Sequence, residues 1–207
     1  GDDGAALRTG PQRVVATDMM IEQVHFDIRF SSWEDVGYKL ATSNLSDVYA
    51  MGARPTEVLL QCALGPTADL DAIAAGISAA FGEWAPDAVV IGGDLTRAPA
   101  DTALGMTCFG EVIGQPWLRS AALAGMSVYL DGPVGLAAAG LALLCGEIDS
   151  AAVDDEVRDA CVRAHCRPGL PNAEATLAAL AERRVACIDV SDGLAADLWH
   201  IARASGV

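Results

Sequence analysis

The chain has 207 residues, 52% apolar and only 5% aromatic, with 13 basic against 28 acidic side chains and a net charge of −15. That length suits one large or two modest domains, with enough chain to bury a core of small residues. So acidic a chain does not bind nucleic acid as its main partner, because neutralising phosphates takes clustered Lys and Arg. No apolar run reaches the ~18 residues of a membrane-spanning helix.

The six cysteines form no C-x-x-C pair. They read as reduced, buried, small hydrophobes of a cytoplasmic protein, and no signal-peptide pattern opens the chain.

Gly1-Asp2-Asp3-Gly4 comes first, two adjacent carboxylates in a glycine loop that suits approach to a hard metal ion; a frayed acidic terminus is the ordinary alternative. Arg13–Ala16 is a short strand that ends in Thr17-Asp18, a hydroxyl and a carboxylate. His25 follows seven residues later; a lone His is more often a surface or packing residue. The stretch Gly37–Gly52 is a helix, with Ser32 as N-cap and Gly52 and Pro55 as its stop. Leu40, Ala41, Leu45, Val48 and Tyr49 form its apolar stripe. Asn44 and Asp47 share one face of it. A carboxylate beside an apolar stripe is costly unless a cation meets it.

Thr56–Leu64 is a strand, Asp69–Trp84 an amphipathic helix, and Asp87–Ile91 a strand ending in Gly92-Gly93-Asp94. The paired glycines let backbone approach a ligand. Asp101–Ile113 is another long strand. The order strand, strand, helix, strand, helix, strand, strand is that of an α+β layer arrangement.

Beyond it, Gln115–Gly125 is a linker holding Arg119-Ser120, a candidate phosphate contact. Ser127–Leu130 reads as a strand, and Gly132-Pro133-Val134-Gly135 precedes a helix of small residues. That loop lacks the Gly-Lys-Ser/Thr ending of a Walker motif, and no G-x-G-x-x-G occurs. Helices follow near Asp154–His165 and Asn172–Arg183. Cys161, His165 and Cys166 share helical spacing but have no fourth zinc ligand nearby. Val185–Ile188 reads as a strand running into Asp189-Val190-Ser191-Asp192-Gly193 at the head of a last helix. There Ser191 could meet a phosphate beside free helix N–H groups, or Asp189 or Ser191 could cap the helix.

Taken together, Asp3, Asp18, Asp47, Asp94, Asp189 and Asp192 are carboxylates at strand ends, in loops or on an otherwise apolar helix. An oxygen-only set selects Mg²⁺ or Ca²⁺ over zinc. With glycine turns it points to phosphate chemistry, where catalysis is mostly positioning and charge neutralisation. The expectation is a single oxygen-lined pocket with Asp47 at its hub.

Gly1-Asp2-Asp3, Thr17-Asp18-Met19 with Glu22 and Val24-His25-Phe26, Asn44-Leu45-Ser46-Asp47 with Ala50-Met51-Gly52, Gly92-Gly93-Asp94 with Thr96-Arg97, and Ser191-Asp192-Gly193-Leu194 with Asp197-Leu198 occur in one order. That order resembles the thiamine-monophosphate kinases of the aminoimidazole-ribonucleotide-synthetase-like ATP-binding superfamily. The resemblance implies transfer of the ATP γ-phosphoryl group to thiamine monophosphate, giving thiamine diphosphate and ADP. It implies several Mg²⁺ ions on Asp3, Thr17, Asp18, Asp47, Asp94, Asp189 and Asp192. It also implies nucleotide contacts from Gly93, Asp94, Arg119 and Ser191, and contact of His25 with the thiamine phosphate. No catalytic residue beyond the metal ligands is implied.

The implied fold is α+β, with two α/β domains. Residues 1–114 form an ATP- and Mg-binding domain whose sheet pairs with that of a second copy into a barrel, and residues 115–207 form part of a C-terminal domain. A homodimer follows from the same resemblance.

Ala16 departs from the family's Ser or Thr, Leu95 replaces a Thr, and the family's chains run longer at both ends. The part beyond Val207 would close over the thiamine ring. The rival readings are a sister enzyme of the aminoimidazole ribonucleotide synthetase or selenophosphate synthetase type, and a nucleotide- or metal-binding module without catalysis. The selenophosphate enzyme would want a reactive Cys or selenocysteine near its first glycine loop, and this chain has none there.

Overall fold

A computed structural model describes residues 5–7 and 12–207. The elements of the first part are β1 (Ala5–Leu7), β2 (Arg13–Ile21), α1 (Trp33–Ala50), β3 (Ala53–Leu64), α2 (Leu70–Trp84), β4 (Val89–Arg97) and β5 (Ala103–Val112). They match the strand and helix order expected from the sequence. The strands make one five-stranded sheet in the order β1-β2-β5-β3-β4. Every ladder is antiparallel except β3–β4. That pair is parallel because α2 joins its strands, and a parallel pair needs such a crossover.

Two strands run further than the sequence suggests. β2 continues through Thr17 and Asp18 to Ile21, because β5 offers a partner at every step, Thr17 to Thr107 and Asp18 to Met106. β4 continues through Gly92-Gly93-Asp94 to Arg97 against β3, with a register irregularity between Val58 and Leu59. Thr17, Asp18 and Asp94 therefore lie within strands and not at strand ends, as a run of backbone donors finding acceptors extends a strand past its apolar part.

Helix α1 covers one face of the sheet, and α2 packs against α1. Ser32 caps α1 as expected, in a capping box with Asp35, although the helix begins four residues earlier than Gly37. Val14, Ala16 and Met20 of β2, Val58 and Cys62 of β3, and Leu104, Met106 and Cys108 of β5 meet Leu40, Leu45, Val48, Ile73 and Ile77 in a single buried cluster. Each large side chain in it stabilises the fold by roughly 1.5–3 kcal/mol. The helices approach closely through glycine: a Cβ on Gly37 would sit 2.1 Å from the Ile73 carbonyl oxygen, and one on Gly76 1.9 Å from that of Glu34. The opposite face carries Thr17, Gln61 and the exposed Met19. No described element covers it.

The second part has α3 (Leu136–Leu144), α4 (Asp155–Cys166), α5 (Ala173–Leu180) and α6 (Leu194–Ser205), with a 3₁₀ turn at Arg119–Ala121. Trp117 and Leu177 join the buried cluster of the first part, so its core extends past residue 114. The runs 127–130 and 185–188 are not strands. A lone extended segment is unstable without neighbours to take its backbone groups, and the described sheet has no place for either. Val128 and Tyr129 lie largely exposed instead.

Candidate functional site

The seam between α1 and β2 is built on Asn44, which has no solvent exposure. Its Oδ1 accepts the Asp18 backbone N–H at 3.0 Å, and its Nδ2 donates to the Leu40 carbonyl at 2.9 Å. An amide suits the place because it offers an acceptor and a donor at once. Asp47 lies one turn further along α1. The Cys108 thiol, on the covered face of β5, is pushed up to about 12 by burial first and then by the charges of Asp47 and Glu57. Asp47 therefore lies within electrostatic reach of Cys108, whose partner on β2 is Ala16, two residues from Asp18. Asn44 thus ties α1 to β2 at Asp18, and Asp18 and Asp47 each engage other groups.

Thr17 does not join them with its hydroxyl. Alternate residues of a strand face opposite ways, and the Thr17 hydroxyl lies 3.1 Å from both the Met106 carbonyl and the Thr107 hydroxyl.

Asp94 is further off. Asp18 is level with Met106, Met106 with Leu60, and Leu60 with Gly93. Three strand spacings of ~4.8 Å put the Asp18 and Asp94 backbones roughly 14 Å apart, too far for one ion to touch both. Gly93 is required where it stands, because a Cβ there would come within 2.0 Å of the Leu60 carbonyl oxygen. Among the described residues, no three His, Cys, Asp or Glu side chains gather closely enough to hold one ion. Among the described residues, Asp94 thus stands across the sheet from Asp18. Asp3 lies outside the described residues. Cys161, His165 and Cys166 form no metal group; Cys161 and Cys166 are buried as small hydrophobes.

Ser191 and Asp192 are exposed in the turn before α6, whose N-cap is Gly193 at φ 112°. The N-cap residue, Gly193, has no side chain to offer as a cap. The turn before it is held from within the helix. Asp197, 2% exposed, accepts from the backbone N–H of both Ser191 and Gly193 through Oδ2, each at 3.1 Å. At the other end of α6, the Ser205 hydroxyl donates to the Arg119 carbonyl at 2.7 Å and accepts the Ala122 N–H at 3.0 Å. Arg184 Nε donates to the Ala121 carbonyl at 2.8 Å. One helix therefore holds the Ser191–Asp192 turn at its head and the Arg119 turn at its foot. Arg119 and Asp189 also engage other groups.

His25 sits in a tight turn after β2, where Gln23 takes φ 63°. Its Nδ1 accepts the Ile21 N–H at 3.0 Å, so the neutral ring carries its proton on Nε2 and can donate it to an anion. Lys39 Nζ donates to the His25 carbonyl at 3.3 Å and ties the turn to α1. Glu22 is structural: nearly buried, it accepts the Thr102 N–H at 2.9 Å.

Sequence reasoning carried Asp197 as part of a motif without giving it a role, and passed over Ser205. The spacing of Asp197 four residues past Gly193 is a signal for the first; nothing local marks the second, whose partners lie more than eighty residues away.

The sequence and the fold have counterparts. The chain is 39% identical over 212 residues to the thiamine-monophosphate kinase of Mycobacterium tuberculosis, with all of this chain matching 60% of that protein. It is 36% identical over 213 residues to the thiamine-monophosphate kinase of Bacillus subtilis, covering 64% of it. The chain thus spans about three fifths of the length of the curated relatives it matches. AaThiL complexed with AMPPCP and TMP has the same fold, at a TM-score of 0.86 and 28% identity, with 100% of this chain on 65% of that one. Residues 1–112 match the family described as AIR synthase related protein, N-terminal domain, and the chain belongs to that family.

Proposed function

We propose that this chain is part of an Mg²⁺-dependent kinase that transfers the γ-phosphoryl group of ATP to thiamine monophosphate, giving thiamine diphosphate and ADP. The observation that carries the reading is the Asn44 bond that holds Asp18 of β2 against α1, one turn from Asp47, in a chain similar along its whole length to thiamine-monophosphate kinases. AaThiL, which shares the fold, is complexed with AMPPCP and TMP.

The donor set fits magnesium: the predicted ligands Asp3, Thr17, Asp18, Asp47, Asp94, Asp189 and Asp192 are all hard oxygens. Thr17 would contribute its carbonyl, its hydroxyl being turned to Thr107. Bound Mg²⁺ supplies neutralisation of charge between two phosphates and alignment for in-line attack. The row from Asp18 to Asp94 suits an extended polyphosphate better than one central ion. Gly93, Asp94, Arg119 and Ser191 would contact the nucleotide, and the Nε2–H of His25 the thiamine phosphate. No general base is required, since a phosphate monoester with a second pKa of about 6 is already mostly dianionic near neutrality.

In the same reading residues 1–114 are the nucleotide-binding domain. Its uncovered sheet face pairs with a second copy to close a barrel. Residues 115–207 belong to a C-terminal domain completed by further polypeptide, which would enclose the thiamine ring. A cytoplasmic homodimer is the expected form.

Incubation with ATP, Mg²⁺ and thiamine monophosphate should yield thiamine diphosphate, and Asp47→Asn should abolish that turnover with an unchanged circular-dichroism spectrum. Full activity in the variant would reject the role given to Asp47. Transfer to a different acceptor would favour a sister enzyme, and nucleotide binding without transfer an inactive module.

A further inference from the structure

Asp197 has a place in no ligand set above, yet it is the most buried carboxylate at the head of α6, at 2% exposure. Burying a carboxylate is unfavourable by several kcal/mol unless its oxygens are satisfied. Here the compensation comes from two backbone N–H groups, Ser191 and Gly193, converging on one oxygen at 3.1 Å each. The helix N-terminus adds favourable dipole charge, since Asp197 lies in the first turn of α6. Charge-assisted bonds of this type are about twice as strong as neutral ones.

The arrangement has a directional result. The N–H groups of Ser191 and Gly193 belong to the turn just before the helix and without Asp197 would be offered to any anion. Asp197 turns both inward, on either side of Asp192, and Gly193 takes the φ of 112° that the bend demands. Ser191 and Asp192 are left exposed, a hydroxyl and a carboxylate in place of two amide donors. A bare phosphate is repelled by such a face, whereas a phosphate carrying a divalent cation is accepted by it.

We propose that Asp197 is a positioning residue that fixes the Ser191–Asp192–Gly193 turn and so makes it selective for the magnesium complex of the nucleotide over the free nucleotide. This rests on the kinase reading above. It adds a function for a residue that touches neither substrate nor ion.

The test pairs Asp197→Ala with Asp197→Asn, which keeps an acceptor oxygen. Amide hydrogen exchange, followed without any ligand, should show Ser191 and Gly193 protected in the parent protein, unprotected in Asp197→Ala and largely protected in Asp197→Asn. Calorimetry with AMPPCP, with and without Mg²⁺, should show Asp197→Ala losing about tenfold in affinity for the magnesium complex, the equivalent of ~1.4 kcal/mol. Its affinity for the free nucleotide should rise, and Asp197→Asn should recover most of the preference. Unprotected Ser191 and Gly193 amides in the parent protein overturn the proposal. So does an unaltered magnesium preference in Asp197→Ala, or an equal loss in both variants. If Asp197→Ala does not fold, the parent's exchange pattern and the Asp197→Asn preference decide. A parent protein that binds no AMPPCP in either form would instead refute the kinase reading, while the exchange result would still report on the turn.

Discussion

Asn44 shows how one side chain can set a site without acting in it. Its amide oxygen accepts the Asp18 N–H, and that bond fixes where the adjoining carboxylate leaves β2. Asn44→Ala should lower stability by about 1–3 kcal/mol, because it strands a buried donor, and it should shift the urea midpoint to match. The sequence placed Asn44 and Asp47 on one helical face correctly, since i, i+3 spacing is a local property. It could not show that this face meets β2 at Asp18, a contact between residues 26 apart. Nor could it show Thr17 facing away from Asp18. Strand alternation gives that once the strand's true length is known, but the apolar pattern ends at Ala16.

Among the elements, the pair α1 and α2 depends on glycine at its crossing. Gly76→Ala should cost about 1–3 kcal/mol by overpacking against the Glu34 carbonyl, read as a lower melting temperature. An unchanged melting temperature would mean that the helices can part without loss. α5 is held to the first part by Glu174, which accepts from Arg54 Nη2 at 2.9 Å and from the Tyr49 hydroxyl at 2.9 Å. The bond from Arg54, more than that from Tyr49, holds the Glu174 carboxyl below its ordinary value of 4.5. The folded state thus favours the ionised form. Its contribution is full above the ordinary carboxylate range and fades as pH falls through the lowered value. Glu174→Gln should therefore unfold more easily than the parent at pH 7, and the gap should close in acid; a gap constant across pH would contradict this.

Helices α1 and α2 were legible because caps and periodicity are written locally. The strands expected at 127–130 and 185–188 did not form, for a strand exists only beside another. Their β-branched residues record a preference that no described neighbour satisfies.

For the whole molecule, the two faces of the sheet are unlike. One is packed against α1, with α2 behind that helix, while the other presents Met19 at 58% exposure beside the Thr17–Thr107 hydroxyl pair. The excess of negative charge keeps such a molecule dispersed at low salt, so any association through this face has to be apolar and local. The acidic balance was plain from composition, whereas the face left bare depends on how five strands are ordered, which no single stretch specifies.

Met19 makes that face easy to interrogate. A thioether open to water takes up oxygen from dilute peroxide within the reach of mass spectrometry, and Met106, with no exposure on the sealed side, supplies an internal standard. If two copies of the sheet meet, sulfoxide at Met19 should build up quickly in dilute samples and slowly in concentrated ones, with Met106 inert in both. Equal uptake at every dilution would mean that the face stays open.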